Sequence, residues 1–156
     1  MPETRSLLVV HHSRTGSTAA LLRGVVAGVT EGGGESVSSR VLHAFDAGPD
    51  DVMGAAAILL ATPANFGYMS GALKDFFDRI YQPCLDRTVG LPYALVVKGD
   101  TDAAGAVDSV ERIVAGLRWK NVAPPLVVVG TVSASQLGAA YEIGATVAAG
   151  LATGIF

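Results

Sequence analysis

The sequence predicts an α/β fold: one domain, residues 1–156, with a five-stranded parallel sheet between two helical layers. Three observations predict it. Five apolar, strand-like runs alternate with helical patterns. The spacing gives each β–α unit roughly thirty residues, the size of a βαβ step. Half of the residues are hydrophobic and only 16% are charged, as suits a sheet covered on both faces.

The first strand is Leu7 to His11, a Val-rich run that leads into a helix from about Ser17 to Thr30. Leu21, Leu22, Val25, Val26 and Val29 form its apolar stripe, and Glu31-Gly32-Gly33-Gly34 is its expected stop. The second run, Ser36 to Leu42, alternates Val37, Ser39, Val41 against Ser36, Ser38, Arg40, a more polar strand suited to a place near an edge. A turn-rich segment with a short helix around Asp50 to Gly54 follows. The third strand is Ala56 to Ala61. The loop Thr62 to Met69 leads to Ser70, the N-cap of a helix expected to run to Tyr81, with Pro83 as its stop. Asp75 and Arg79 form a favourably ordered i,i+4 pair on it. The fourth strand is Tyr93 to Val97, with its helix ending near Leu117. The fifth is Leu126 to Val129, with a final helix from about Ser135 to Ala152.

Composition removes several function classes. A net charge of −3 without a basic block argues against nucleic acid as a partner. From Asn121 to Phe156 the only charged residue is Glu142, but Pro124-Pro125 and many small residues break the run, so no membrane span is expected. Cys84 is the single cysteine and lies outside the suspicious loops, so it reads as structural. The N-terminus does not resemble a signal peptide, and a reduced, cytoplasmic setting is the expectation. No metal site is expected. His11 and His12 are adjacent on a strand and face opposite ways, and His43 is distant in sequence.

The segment Ser13-Arg14-Thr15-Gly16-Ser17-Thr18 follows the first strand and opens a helix. It offers hydroxyls, free backbone N–H groups and a helix N-terminus together, the chemistry that holds a phosphate. Gly16 lets the backbone approach closely, and Arg14 adds a charge. In a parallel sheet, ligands bind outside the carboxyl ends of the strands. The loops after the first, third and fourth strands all lie there.

Three segments together resemble the flavodoxin-like FMN proteins. Ser13-x-Thr15-Gly16-x-Thr18 matches the phosphate loop of that family. Thr62 through Arg79 is similar to the second flavin loop and helix of the branch containing WrbA-type quinone reductases and NADPH-dependent FMN reductases. Gly99-Asp100-Thr101 through Gly105 occupies the place of the third loop. The resemblance covers nearly the whole chain. It implies a flavodoxin-like three-layer α/β/α sandwich with strand order 2-1-3-4-5, and FMN as cofactor. The phosphate sits on Ser13, Arg14, Thr15, Gly16, Ser17 and Thr18. The ring is edged by Thr62, Pro63, Ala64, Asn65, Phe66 and Gly67, and closed by Gly99, Asp100, Thr101 and Gly105. Lys98 either neutralises reduced flavin or points to solvent. The implied activity passes electrons from NAD(P)H through the flavin to a quinone, flavin or similar small acceptor, with Tyr68 as the candidate for substrate contact or proton transfer. The alternatives are a non-enzymatic electron carrier and a flavin-free protein that keeps only the fold. His11 and His12 stand where many relatives have aromatic residues, and the strongly acidic surface of dedicated carriers is missing.

Other phosphate-binding α/β proteins are excluded by residue. There is no Gly-x-Gly-x-x-Gly or Gly-Lys-Ser/Thr after the first strand, and no Asp ends the third. The final helix, with Gly138, Ala139, Gly144, Ala145, Ala148 and Ala149, carries more apolar surface than one sheet face needs. Self-association as a dimer or tetramer is therefore expected.

Overall fold

The computed structural model of the chain describes residues 3–13 and 16–156. Its sheet is built on five parallel strands: β1 (Arg5–His11), β2 (Val37–His43), β3 (Ala57–Asn65), β5 (Pro92–Gly99) and β7 (Leu126–Val129). Two two-residue strands, β4 (Tyr68–Met69) and β6 (Lys120–Asn121), join them. The order is β2-β1-β3-β5, with β6 and β7 both beside β5. This is the expected order, except that the last position is split in two. Pro124 and Pro125 stand between β6 and β7, and neither has an N–H to continue the ladder.

Strand alternation sends side chains to two cores. Leu8, Val10, Ile58, Leu60 and Val97 pack against α3 (Gly71–Cys84) and α4 (Ala104–Leu117), through Leu73, Phe76, Phe77 and Val110. Leu7, Val9, Leu59 and Val96 pack against α1 (Gly16–Gly33) and α5 (Ala134–Thr153), through Leu21, Val25 and Val147. The short α2 (Pro49–Met53) is held at its start by Gly48 N–H donating to Asp51 Oδ2 at 2.8 Å, and Arg40 pairs with Asp51 at 2.9 Å. As expected from its polarity, β2 is an edge strand, but it is exposed along most of its length and Val41 faces water with the rest. At the opposite edge, Val127 and Val129 of β7 are exposed.

Two helix ends differ from expectation. α1 continues through Gly32 and Gly33, and the chain turns only at Gly34, which has φ +54°. A glycine run allows a stop without dating it: the helix persists while its glycines are useful for packing. α3 continues one residue past Pro83. A proline in the last turn forfeits one bond, and Leu85 N–H still reaches the Tyr81 carbonyl at 2.9 Å.

The glycines of α1 are a packing device. A Cβ on Gly28 would lie 2.0 Å from the Tyr141 carbonyl oxygen, one on Gly32 would lie 2.4 Å from that of Ala145, and one on Gly144 would lie 2.1 Å from that of Val25. The two helices thus touch backbone to backbone. Ala140, Gly144 and Ala148 are buried on this side of the sheet, so part of the apolar surface from which self-association is expected is used within the chain.

Replacing Gly28 by Ala is expected to lower stability by about 1–3 kcal/mol through overpacking against a backbone carbonyl. Gly138 lies exposed in α5 with nothing within 4 Å of its added Cβ, so Gly138→Ala is expected to raise stability by about 0.5–1 kcal/mol. Urea unfolding midpoints of the two variants should move in opposite directions.

Candidate functional site

The carboxyl ends of β1, β3 and β5 bring together the three loops that the sequence singles out. Beside β1, Ser13 is half-buried, and α1 opens with exposed Gly16, half-buried Ser17 and buried Thr18. The first N–H groups of a helix have no carbonyl partner within it. Arg14 and Thr15 lie outside the described residues.

The second loop is ordered structure. β3 does not end at Ala61 but runs to Asn65, then folds back as β4, with Ala64 opposite Met69 and Asn65 opposite Tyr68. The two residues between, Phe66 and Gly67, have φ +51° and +70°. Positive φ at both central positions is the mark of the primed type I turn that matches strand twist. Glycine adopts that conformation freely. A phenylalanine in it costs about 1–2 kcal/mol.

Phe66 gains nothing by burial in return: its relative exposure is 108%. A core role for it is thereby excluded. The hairpin holds an aromatic ring in water on a strained residue, and three contacts keep it there. Thr62 is fully buried; its hydroxyl accepts from Ser70 N–H at 3.0 Å and donates to the Pro63 carbonyl at 2.8 Å. Met69 N–H donates to Ser109 Oγ on α4 at 3.2 Å, and that hydroxyl donates to the Ala106 carbonyl at 2.8 Å. A Cβ on Gly105 would lie 2.0 Å from the Gly67 carbonyl oxygen, so the turn rests on the start of α4. Thr62 and Gly105 therefore support the hairpin. Pro63, Ala64 and Asn65 are half-buried, and Tyr68 is 42% exposed beside Phe66 in the chain.

In the third loop, Asp100 and Thr101 are exposed and Gly99 is buried, where a Cβ would meet the Asp102 carbonyl at 2.8 Å. Asp102 Oδ1 accepts from Ala104 N–H at 3.0 Å, one residue before the N-cap position of α4, which Ala103 fills. Lys98 does not point to solvent. It is buried, and its ammonium donates to the Gly99 carbonyl at 3.1 Å and to the exposed Asp100 carboxylate at 3.2 Å. A buried cation so close to the loop favours negative charge nearby.

The histidines depart most from the sequence reading. In the β1–β2 register His11 is opposite His43, and His12 lies past the end of β1, beyond the reach of strand alternation. The rings of His11 and His12 both meet that of His43. Burial first, then the charges of His43 and His12, push the His11 imidazole below its ordinary value. No cluster suited to holding a metal ion is found among the described residues. Cys84 is buried and far from these loops; burial pushes its thiol up, as fits a structural role.

Sequence reasoning missed the hairpin, the Ser109 contact and the histidine cluster. The signal for the hairpin was the polar Asn65 and Gly67 flanking a single aromatic residue. The separation of Asn from Gly by Phe66 hid the turn.

No family model matches the chain. Among curated proteins it is 32% identical over 94 residues to an NAD(P)H dehydrogenase (quinone) of Archaeoglobus fulgidus, a match covering 46% of this chain and 49% of that protein. It is 32% identical over 74 residues to a flavodoxin of Aquifex aeolicus, covering 47% of this chain and 39% of that protein. The matches thus span half or less of these relatives' length. Among solved structures, a flavodoxin from the domain Archaea superimposes with a TM-score of 0.81 at 17% identity, covering 94% of this chain and 98% of that one. A WrbA-like flavodoxin of Agrobacterium tumefaciens gives 0.74 at 19% identity, covering 96% and 99%. The fold of this chain is flavodoxin-like.

Two predictions follow from the loop geometry. Phe66→Gly removes no buried surface and relieves about 1–2 kcal/mol of backbone strain, offset by about 0.5–1 kcal/mol of glycine chain entropy. Its unfolding midpoint should match or exceed that of the parent, whereas Gly105→Ala should lower it by about 1–3 kcal/mol. The second concerns pH. The folded His11 binds its proton less readily than the unfolded one, so the unfolded state gains protons first as pH falls below the ordinary imidazole value. Stability that is complete above that value is lost as pH falls toward the folded value. Urea midpoints measured from neutral to mildly acid pH should fall less steeply for His11→Gln than for the parent.

Proposed function

We propose that the chain binds FMN across the carboxyl end of its sheet and passes electrons from NAD(P)H to a small acceptor such as a quinone. The observation that carries this reading is Phe66, an aromatic ring held in solvent on a strained turn beside two polar loops. Strain without burial is kept where a ligand supplies the missing contact.

The residues present fit the cofactor. Ser13, Arg14, Thr15, Gly16, Ser17 and Thr18, with the start of α1, would hold the phosphate. Pro63, Ala64, Asn65, Phe66 and Gly67 would edge the ring, Phe66 by its face, with Thr62 as a buried support. Gly99, Asp100 and Thr101 would close the other side, where the Lys98 ammonium favours negative charge on a bound group. When bound, FMN supplies the acceptance and release of electrons, and the protein supplies position and field. Tyr68 is exposed next to Phe66, where an incoming nicotinamide or quinone meets it. The curated relative named for NAD(P)H and quinone supports the enzyme reading. The relative named flavodoxin supports a second one, an electron carrier loaded by a separate reductase. A homo-oligomer remains part of the proposal, with sedimentation as its measurement.

Purified protein titrated with FMN should quench flavin fluorescence, and Phe66→Gly should weaken binding by about tenfold, the loss of one aromatic contact. With FMN bound, steady NADH or NADPH oxidation in the presence of a quinone supports the reductase. Reduction only through an added flavoprotein reductase supports the carrier, and no flavin binding overturns both.

A further inference from the structure

Among the described residues Lys98 is the one buried charged side chain, and it stands where β5 passes into the third loop. The strand ladders set its level. It lies opposite Pro63 of β3 and Val128 of β7, and neither carries a charge. By alternation its stem follows Ala94 and Val96 on the α1–α5 face. The ammonium reaches up from there to the third loop, to which both of its partners belong. The Gly99 carbonyl, at 3.1 Å, also accepts from Gly130 N–H at 2.9 Å, so one acceptor serves two donors. The Asp100 carboxylate, at 3.2 Å, is its one anionic partner among the described residues, and that side chain is 97% exposed.

A buried charge is normally matched by another held as firmly out of water. Here the match is lopsided, because solvent screens Asp100 far more than Lys98. Asp102, the other carboxylate of the loop, is also exposed and accepts from Ala104 N–H. The third loop therefore keeps a positive surplus at the ammonium.

That surplus is not a second hold on a phosphate at the start of α1. β3 stands between β1 and β5, so the two positive sites are two sheet spacings apart, about 10 Å, and act on different parts of a ligand. Lys98 is level with Pro63, where the segment that would edge the flavin ring begins. The charge that changes on a flavin is the ring's. A hydride from a reduced nicotinamide brings two electrons and one proton, and it leaves the neutral oxidised ring with one negative charge.

We infer that Lys98 sets the redox preference of the bound flavin: its ammonium shifts binding toward the reduced, anionic ring, and Asp100 limits that shift by drawing on the same charge. The inference rests on the flavin site of the proposed function. It adds to that site a residue that favours acceptance of a hydride and makes the reduced flavin a milder reductant, as suits a quinone acceptor.

The test uses the full chain. Fluorescence quenching measures FMN binding, and anaerobic titration with dithionite against a reference dye at neutral pH measures the potential of the bound flavin. Its difference from free FMN gives the ratio of dissociation constants of oxidised and reduced flavin, about 30 mV for each tenfold. Lys98→Met, checked for native circular dichroism, should move this ratio about tenfold toward oxidised FMN and lower the potential accordingly. Asp100→Asn removes an exposed carboxylate and should move it about threefold the other way. Shifts of the same sign in both variants, or none in either, overturn the inference and leave the flavin reading. So does an equal weakening of both redox forms by Lys98→Met, which makes Lys98 a plain anion contact. If Lys98→Met does not fold, Asp100→Asn decides: a raised potential supports the inference, and an unchanged or lowered one overturns it. Absence of FMN binding by the parent chain overturns the flavin reading and this inference with it.

Discussion

A strand that outruns its neighbour must find hydrogen bonds elsewhere. β1 ends at His11 opposite Ala61, while β3 continues to Asn65 with β5 along one side only as far as Pro63. The unmatched backbone is satisfied when the chain turns back on itself as β4. That requirement puts two left-handed residues at the tip, and the tip needs a floor. Gly105 provides it by allowing the start of α4 to come up against the Gly67 carbonyl. The exposed ring of Phe66, the buried hydroxyl of Thr62 and the Ser109 contact all follow from one overlong central strand.

Much of this was legible in the residues. Apolar runs marked β1, β3 and β5 to within a few residues, because strands buried on both faces have little freedom in composition, and the Val run marked β7 at the edge. The stripe Leu73, Phe76, Phe77, Ile80 marked α3, and Ser70 is its N-cap, accepting from Leu73 N–H at 3.2 Å. Contacts across the sequence were less visible. The glycines at 24, 28 and 32 look like weak helix positions until α5 is laid against them. The polar Thr62 to Asn65 looks like loop because its strand bonding depends on β4. His43 could be placed beside His11 only by knowing the β1–β2 register.

The site favours negative charge at two places and is apolar between them. The start of α1 and the buried ammonium of Lys98 both favour a negative ligand, one near each end of the loop cluster. Between them stands an apolar ring with no charge of its own. The arrangement suits a ligand with an anionic tail and a flat, polarisable body. It leaves the ring-side approach open, because Phe66, Gly67 and Tyr68 are all exposed there.

The backbone contact between α1 and α5 has a kinetic consequence. The half of the core that holds α3 and α4 closes among neighbouring segments, since α2, α3 and α4 follow one another in the chain. The other half joins the helix after β1 to the helix after β7, almost the full length of the described chain apart. Long-range closure of that kind is slow, and until it happens the glycine stripe of α1 has nothing to bury it. During synthesis the hairpin that carries Phe66 and the floor beneath it therefore precede the seam between α1 and α5, which closes at Gly24, Gly28 and Gly32.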